Sequence, residues 1–365
     1  MRQTLFRLSL HDPWALWTTD AATGLPLLGV CILLAILAVG WTFGQWWFDG
    51  RKWSRPLTQS ALGWVAAIGV LSLPAVATRI PVASVPVFGY GFMLLLGFLS
   101  ALGFARRQAR LAGIDPELMH EMGYWLLIPG VIGGRLAYLV QHGDGVFFDH
   151  AGQPLSGAAM LFAAVNLSNG GLVLIGAMVG GAVGYFAFCH RRRLPALALA
   201  DVIVPSIFIG IAFGRLGCLL NGCCFGDACS LPWGITFPNG SVPFEVLAER
   251  GFVDPRAAAT MPLHPTQIYM SIDGVLLAII TALYFRVRTR PGDVLALGCI
   301  LCAITRILVE FLRNDEMGQL GTRFTISQYY SLGILAAGIG IAIYLRTSRT
   351  PASAQPDPAL RPAST

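Results

Sequence analysis

The chain has 365 residues, of which 55% are hydrophobic and only 12% are charged, and its formal net charge is +6. Soluble domains carry about 25% charged residues, so this composition excludes an ordinary soluble domain and indicates a polytopic membrane protein. Lipid cannot satisfy the backbone groups of an open sheet, so the predicted membrane spans are helices.

Nine apolar stretches are each long enough to cross a bilayer as a helix, which takes about 20 residues. In chain order they are Leu25–Phe48, Gln59–Arg79, Val85–Ala105, Met122–Val140, Gly170–Cys189, Ala196–Leu220, Thr266–Phe285, Val294–Leu312 and Ile326–Leu345. The sequence therefore predicts an all-α transmembrane bundle. The polar segment before Leu25 carries Trp14 and Trp17, which is typical of an interfacial lead-in and not of a cleavable signal peptide.

Basic clusters follow every second span and predict the orientation. They are Arg51, Lys52 and Arg55; Arg106, Arg107 and Arg110; Arg191, Arg192 and Arg193; Arg286, Arg288 and Arg290; and Arg346 and Arg349. By the positive-inside rule the N-terminus lies outside and the C-terminus in the cytoplasm. Because the clusters are short and abut helix ends, no nucleic-acid partner is expected.

Four segments are predicted: an interfacial segment 1–24, a two-helix extension 25–83, a core 84–348 and a tail 349–365. The extension is set apart because unusual intramembrane residues begin only in the third span. The tail lacks apolar residues to bury and is expected to be disordered. The loop Asn221–Pro265 contains VPFEVLAERG, which predicts a short helix at the membrane surface.

Three arginines interrupt apolar spans: Arg135 in GVIGGRLAYLV, Arg215 in IAFGRLGCLL and Arg306 in CAITRILVEFLR. A charge at the centre of a membrane helix costs about 2.5–3.5 kcal/mol on insertion scales, so such residues face a partner or an aqueous cavity. Guanidinium groups bind phosphate through paired hydrogen bonds. The predicted topology puts all three in the outer half of the membrane, which indicates a pocket for a phospholipid headgroup.

A purely structural alternative exists for each of these features. Residues 306, 310 and 313 share one helical face and make one polar stripe, in which Arg306 could simply pair with Glu310. A single arginine can also extend to the interface. Glycines beside the arginines are expected to allow close helix packing, whereas Gly170 and Gly171 suit close approach to a ligand better.

Five motifs, spread in order from about Val85 to Arg346, resemble the prolipoprotein diacylglyceryl transferase family. They are GGRLAYL, NGGLVLIGAMVGG, DVIVPSIFIGIAFGRLGCLLNGCCFG, LHPTQIYMSIDG and TRILVEFLR. The resemblance implies a seven-helix core in the bacterial inner membrane. It also implies the first step of lipoprotein maturation, which transfers the diacylglyceryl group of phosphatidylglycerol to the lipobox cysteine thiol of a prolipoprotein signal peptide. A thioether forms, glycerol phosphate leaves, and neither a cofactor nor a metal is expected.

The resemblance also carries roles to individual residues. The expected catalytic residues are Arg215, Arg306, His264 and Tyr90. The expected substrate-binding residues are Arg135, Gly170, Gly171, Asn221, Gly226, Glu310 and Arg313. Preorganised arginines in a site that excludes water would stabilise the leaving phosphate. Positive charge nearby would also favour the thiolate form of the attacking cysteine.

Three positions depart from the family pattern. Ile175 stands where the family has a histidine before a glycine pair, Cys218 replaces the signature asparagine, and Cys223 replaces a signature glutamate. Isoleucine carries no proton, so His264 and the substrate phosphate are the remaining candidates for the general base. A helix-capping or interfacial role before Pro265 is the alternative for His264.

Four cysteines, Cys218, Cys223, Cys224 and Cys229, lie close together on the predicted outer face. An oxidising compartment favours disulfides, for example of Cys223 or Cys224 with Cys229, ahead of packed free thiols. The spacing C-x4-C-C-x4-C is not usual for zinc, and the cluster has no C-x-x-C redox motif.

Other classes of protein stay open. A non-catalytic homologue would bind phospholipid or lipoproteins without turnover. A thiol redox or metal-handling membrane protein would depend on the cysteines and not on Arg215. A transporter would need more polar residues in the inner half of the membrane, where Asp201 is nearly alone.

Overall fold

The structure, a computed structural model, describes residues 4–16, 18–19, 26–48, 55–73, 84–148, 153, 156–166, 171–313, 322 and 324–347. Its helices are α1 (Val30–Phe48), α2 (Arg55–Leu71), α3 (Gly89–Leu111), α4 (Glu117–Phe147), α5 (Gly157–Val165), α6 (Leu174–Arg192), α7 (Ala196–Asn221), α8 (Val242–Glu249), α9 (Thr266–Val287), α10 (Asp293–Glu310) and α11 (Ile326–Thr347). Its strands are β1 (Thr4–Ser9), β2 (Thr18–Thr19), β3 (Pro26–Gly29) and β4 (Ser84–Phe88). The predicted tail, the predicted interfacial Trp17 and the second span's residues 74–79 lie outside the described residues.

Long apolar helices dominate the described chain. Five of them, α3, α4, α7, α9 and α11, are long and apolar enough to cross a membrane. The protein is therefore a helical membrane protein that crosses the bilayer several times. The other four predicted spans coincide with α1, α2, α6 and α10, and for these helices membrane crossing stays a prediction.

The chain divides into two compact units, and the first (Met1–Leu95 with Gly214–Ile268) contains a small sheet. The strand order is β2-β3-β1-β4, with β1 parallel to β3 and antiparallel to β4. The predicted start of the first span was wrong, because Pro26–Gly29 is β3 and α1 begins only at Val30. Hydropathy alone cannot separate a short apolar strand from the first turn of an apolar helix.

The loop between α7 and α9, also in the first unit, has a hydrophobic core of its own. The buried side chains of Phe225, Phe237, Leu247 and Leu263 form this cluster. The predicted short helix is confirmed as α8, which buries Pro243, Phe244 and Leu247. This core gives the polar and cysteine residues of the loop a fixed support.

In the second unit (Leu96–Phe213 with Tyr269–Thr365), α4 and α6 pack through glycines. A Cβ atom on Gly133 would collide with the carbonyl oxygen of Gly176, and one on Gly180 would collide with that of Pro129. Backbones can approach this closely only where side chains are missing. The prediction that these glycines serve helix packing is confirmed.

Asp201, the single acidic residue of α7, has a structural use. Its side chain is fully buried, and it accepts hydrogen bonds from the backbone N–H groups of Gly292 and Leu295 at 2.8 and 2.9 Å. Arg288 donates to the same carboxylate at 3.0 Å. A carboxylate at the start of α10 satisfies N–H groups that lack helical partners, so Asp201 gives no support to a transport function.

Candidate functional site

Arg215 and Tyr90 belong to the first unit, near the end of α7 and the start of α3. Gly217 lets the two helices approach, because a Cβ atom there would lie 3.1 Å from Cδ2 of Tyr90. Tyr90 is 41% exposed. Within the described chain, the Arg215 guanidinium makes no hydrogen bond or ion pair. Its donors are therefore available to an anionic ligand.

The chain leaves α7 through a sharp turn at residues 221–226, which we name the thiol turn. Gly222 has φ +82°, and Cys224 has φ +58°, an uncommon left-handed conformation for a residue with a side chain. Two fully buried residues at the start of α9 support this turn. Thr266 donates its hydroxyl to the Cys224 carbonyl at 2.7 Å, and Gln267 donates its amide to the Cys223 carbonyl at 2.9 Å.

The thiol turn gathers three sulfur atoms, which we name the thiol cluster: Cys218, Cys223 and Cys224. Their sulfur atoms all lie within 4.8 Å of one another. Cys218 forms side-chain hydrogen bonds with both of the other cysteines, and the Asn221 side chain bonds to Cys223. The predicted site residue Asn221 is thus joined to the cluster and to the same unit as Arg215.

The expected disulfides are absent, because all eight cysteines of the chain are free thiols. Cys229 is not one of the three clustered thiols, and its backbone N–H donates to the Pro262 carbonyl at 2.9 Å. The hydrogen bond with Cys218 lowers the pKa of Cys223, but the bond with Cys224 and burial outweigh it, so the pKa is raised. The thiol cluster has no disulfide and no C-x-x-C motif, so it gives no support to a redox site.

His264 and Gly226 meet through their backbones in the first unit. The Gly226 N–H donates to the His264 carbonyl at 3.0 Å, and the His264 N–H donates to the Asp227 carbonyl at 2.9 Å. The His264 carbonyl also accepts the Thr266 N–H at 2.8 Å, at the start of α9. His264 therefore joins the thiol turn to α9, with its side chain partly buried.

In the second unit, Arg306, Glu310 and Arg313 form the polar stripe that helical periodicity predicts. Glu310 pairs with Arg306 one turn away and with Arg313 at 3.3 Å. It also accepts the Thr325 hydroxyl at 2.7 Å, and its side chain is 1% exposed. The buried carboxylate therefore holds two arginines and the start of α11 in a fixed arrangement.

Arg135, also in the second unit, binds backbone carbonyls. Its guanidinium donates to Ala163, Ala164 and Asn166 at 2.7–2.8 Å and to Gly171 at 3.1 Å. The first three carbonyls are at the C-terminal end of α5, where helices have unpaired acceptors and a partial negative charge. Four of the five donors of a guanidinium are thereby used. Gly170 lies outside the described residues.

Gly171 and Ile175 lie on either side of the start of α6. Gly171 has φ +88°, and a Cβ atom there would lie 2.5 Å from Nη1 of Arg135, so glycine is required for the guanidinium to reach its carbonyl. Ile175, on the first turn of α6, is 36% exposed. An apolar side chain at this position can neither accept nor donate a proton.

Sequence reasoning missed the supporting roles of Thr266 and Gln267, although both lie in the singled-out motif LHPTQIYMSIDG. The feature of the sequence that could have indicated these roles is a pair of polar residues in the first turn of an apolar helix, directly after His264 and Pro265. The sequence predicted a cluster of four cysteines, and the structure brings three of them together without Cys229. A helix end followed by two left-handed residues brings them closer than their spacing in the chain indicates.

The fold and these sites define a multi-pass helical membrane protein with arginines built into its apolar helices. A sequence profile of the family described as prolipoprotein diacylglyceryl transferase matches residues 75–344. The chain belongs to the prolipoprotein diacylglyceryl transferase family.

Individual relatives agree with this assignment. The chain is 32% identical over 253 residues to the phosphatidylglycerol–prolipoprotein diacylglyceryl transferase of Clostridium tetani, a match that covers 69% of this chain and 91% of that protein. The protein of the same name from Rhodopirellula baltica is 26% identical over 457 residues, which cover 95% of this chain and 89% of the relative. Another protein of this name, from Nitratidesulfovibrio vulgaris, is 32% identical over 267 residues. This match covers 70% of this chain and 88% of that protein.

Proposed function

We propose that this protein transfers the diacylglyceryl group of phosphatidylglycerol to the lipobox cysteine thiol of prolipoproteins. Membership of the family supports the reaction, and the names of the relatives give phosphatidylglycerol and prolipoproteins as their substrates. The sulfur attacks the glyceryl carbon that carries the phosphate. The carbon–oxygen bond breaks, and its electron pair leaves with glycerol phosphate.

The unpaired donors of Arg215 are the observation that carries this proposal. Arg215 lies in the apolar helix α7, and within the described residues it has no hydrogen-bonded or ionic partner. It therefore keeps its paired donors for the phosphate, whose negative charge grows as the bond to carbon breaks. Tyr90, which packs against Gly217 two residues after Arg215 in the chain, is the proposed second contact to the same group.

The remaining site residues receive proposed roles in two groups. Arg306 and Arg313, fixed by Glu310, are proposed to bind substrate through their positive charge within the second unit. Asn221 and Gly226 shape the thiol turn beside Arg215.

Arg135 is proposed to act on the substrate indirectly. It holds the carbonyls at the end of α5 and that of Gly171, and so positions Gly171 at the entry to α6. This role differs from the direct substrate binding expected from its place in the sequence, because its donors already have acceptors.

The proposed setting is the bacterial inner membrane, with nine crossings, the N-terminus outside and the C-terminus in the cytoplasm. The basic residues that end α3, α6, α9 and α11 support this orientation. Residues 84–348 would form the transferase core, and residues 25–83 would add two further spans.

A homologue that binds lipid without turnover is the second candidate, and Ile175 favours it. Its side chain lies on the first turn of α6 where the resemblance predicts a histidine. This candidate predicts binding of phosphatidylglycerol with no thioether product.

The test follows labelled diacylglyceryl from phosphatidylglycerol to a lipobox peptide in the presence of purified full-length protein. We expect a thioether-linked product with the cysteine peptide and none with a matched peptide that carries serine in its place. Folded protein that binds phosphatidylglycerol but yields no product would contradict the proposal and support the non-catalytic homologue.

A further inference from the structure

We infer that Cys218, Cys223 and Cys224 form a zinc site whose open fourth position binds and deprotonates the substrate thiol. The inference rests on the proposed function for its catalytic part, whereas the metal site itself does not depend on it. The zinc ion would promote deprotonation of the substrate thiol, a step in which Ile175 cannot act as the base.

The geometry of the thiol cluster suits zinc. Zinc is bound by thiolates at about 2.3 Å in a tetrahedron, which places sulfur atoms about 3.8 Å apart. The three sulfur atoms lie within 4.8 Å of one another, so shifts of about 1 Å between sulfur atoms would complete the coordination. All three ligands come from one helix end and the turn that follows it, within a single unit.

The number of ligands points to a catalytic and not to a structural zinc. Structural sites usually close the tetrahedron with four protein ligands, whereas catalytic sites keep three protein ligands and one exchangeable position. Cys229, the fourth cysteine of the loop, is not part of the cluster of mutually close sulfur atoms. The position left open is therefore available to water or to an incoming thiol.

The surroundings of the cluster fit a negatively charged metal centre. Three thiolates and one zinc ion carry a net charge of −1, which one arginine balances. Arg215 precedes Cys218 by three residues on α7, so the two side chains are neighbours on the surface of this helix. The Asn221 side chain bonds to Cys223, as neighbours of metal ligands commonly do.

The ligand loop is held rigidly in a strained form. Cys224 has φ +58°, and such conformations cost about 1–3 kcal/mol and persist where the surroundings enforce them. The fully buried Thr266 and Gln267 hold the carbonyls of Cys224 and Cys223. Strain fixed by buried hydrogen bonds at two adjacent ligands favours a functional use of this turn.

The chemistry balances without an oxidant. Zinc binding releases three cysteine protons. The substrate thiol then replaces a zinc-bound water and releases its own proton to solvent, because a coordinated thiol is deprotonated. The sulfur lone pair forms the bond to the glyceryl carbon, and the electron pair of the carbon–oxygen bond leaves on the phosphate. The thioether product carries no charge and is a weaker zinc ligand, so it departs.

The first measurement is the zinc content of purified protein. We expect about one zinc per chain, lost in Cys218→Ser, Cys223→Ser and Cys224→Ser and retained in the matched control Cys229→Ser. Thermal unfolding of each variant reports whether it is folded. Equal zinc content in all four variants, or no zinc uptake by the reduced wild-type protein, would overturn the inference.

The second measurement uses the wild-type protein with Co(II) in place of zinc and needs no variant. We expect sulfur-to-cobalt charge-transfer absorption, which increases when a lipobox peptide is added and does not change with the serine peptide. A cobalt spectrum without thiolate bands, or one that both peptides change equally, would contradict the proposed fourth ligand.

The third measurement separates this inference from the proposed function. Removing zinc with a chelator should lower thioether formation by about 10²–10⁴-fold, the usual contribution of proton transfer, and adding zinc should restore it. Zinc-free enzyme that turns over at the full rate would overturn the inference and leave the proposed function standing. A zinc protein that responds to the peptide but never forms product would overturn the proposed function and the catalytic role of the metal together.

Discussion

Thr266 donates its hydroxyl to the carbonyl oxygen of Cys224 at 2.7 Å, and so ties the first residue of α9 to a left-handed residue of the thiol turn. The two residues are 42 positions apart in the chain. Because the Thr266 side chain is fully buried, water cannot replace it as the donor. The backbone conformation beside Arg215 therefore depends on a hydrogen bond from outside its own segment.

Replacing Thr266 with valine tests this dependence while keeping the shape of the side chain. We expect the Thr266→Val variant to lose about 1–3 kcal/mol of stability, because a buried carbonyl is left without a donor. The matched control is Thr281→Val, another fully buried threonine of α9, whose hydroxyl bonds only to carbonyls of its own helix. Thermal unfolding in detergent should show a clear loss for the first variant and a smaller one for the second; equal losses would contradict this role.

The charge balance at Glu310 gives a second prediction. Glu310→Gln removes the buried carboxylate that Arg306 and Arg313 share. Removing one partner of a buried ion pair costs about 3–5 kcal/mol, because the remaining charge is uncompensated. Arg313→Gln leaves the pair of Arg306 and Glu310 intact and should therefore reduce the free energy of unfolding less than Glu310→Gln does.

The double variant Glu310→Gln/Arg313→Gln should recover part of the stability that Glu310→Gln loses, as measured by denaturant or thermal unfolding. If the double variant loses, relative to the wild-type protein, the sum of the two single losses, the three charges do not act as one group.

Arg135→Lys tests the contacts with the end of α5. Lysine keeps the charge but lacks the planar, forked donors that reach several carbonyls at once. We expect faster amide hydrogen exchange in residues 157–166, with little change in α10. Arg192→Lys, at an exposed ion pair with Glu121, is the control and should leave exchange in α5 unchanged. Unaltered protection of α5 in Arg135→Lys would contradict the anchoring role.

The glycine contact between α4 and α6 predicts an asymmetry between two alanine substitutions. Gly133→Ala places a methyl group against the Gly176 carbonyl, and overpacking of this kind costs about 1–3 kcal/mol. Gly103→Ala, in α3, meets nothing within 4 Å and should be neutral or stabilising, because alanine favours helices. Thermal unfolding that ranks the two variants in the opposite order would show that the helices are not packed this way.

Helical periodicity and hydropathy predicted much of this molecule. Each of the nine predicted spans falls on a helix, and the spacing of residues 306, 310 and 313 predicted the polar stripe in which they pair. Both signals are local, since they depend on which residues share a helix face.

The features that were missed depend on contacts between distant segments. Strand β1 pairs with β4, some 75 residues further on, and Arg135 finds backbone carbonyls 28–36 residues away. Backbone acceptors have no signature in the sequence. The thiol cluster depends on left-handed backbone angles at Gly222 and Cys224, and a cysteine in that conformation is not predictable from its spacing.

The most direct test of the account compares thioether formation by the wild-type protein, Arg215→Gln and the control Arg191→Gln, whose arginine lies exposed in the last turn of α6. Phosphatidylglycerol and a lipobox peptide are the substrates, and folding is verified by thermal unfolding. If Arg215 stabilises the leaving phosphate, its loss should lower the rate by about 10²–10³-fold, while Arg191→Gln keeps the wild-type rate. A folded Arg215→Gln protein that transfers lipid as fast as Arg191→Gln would contradict the account.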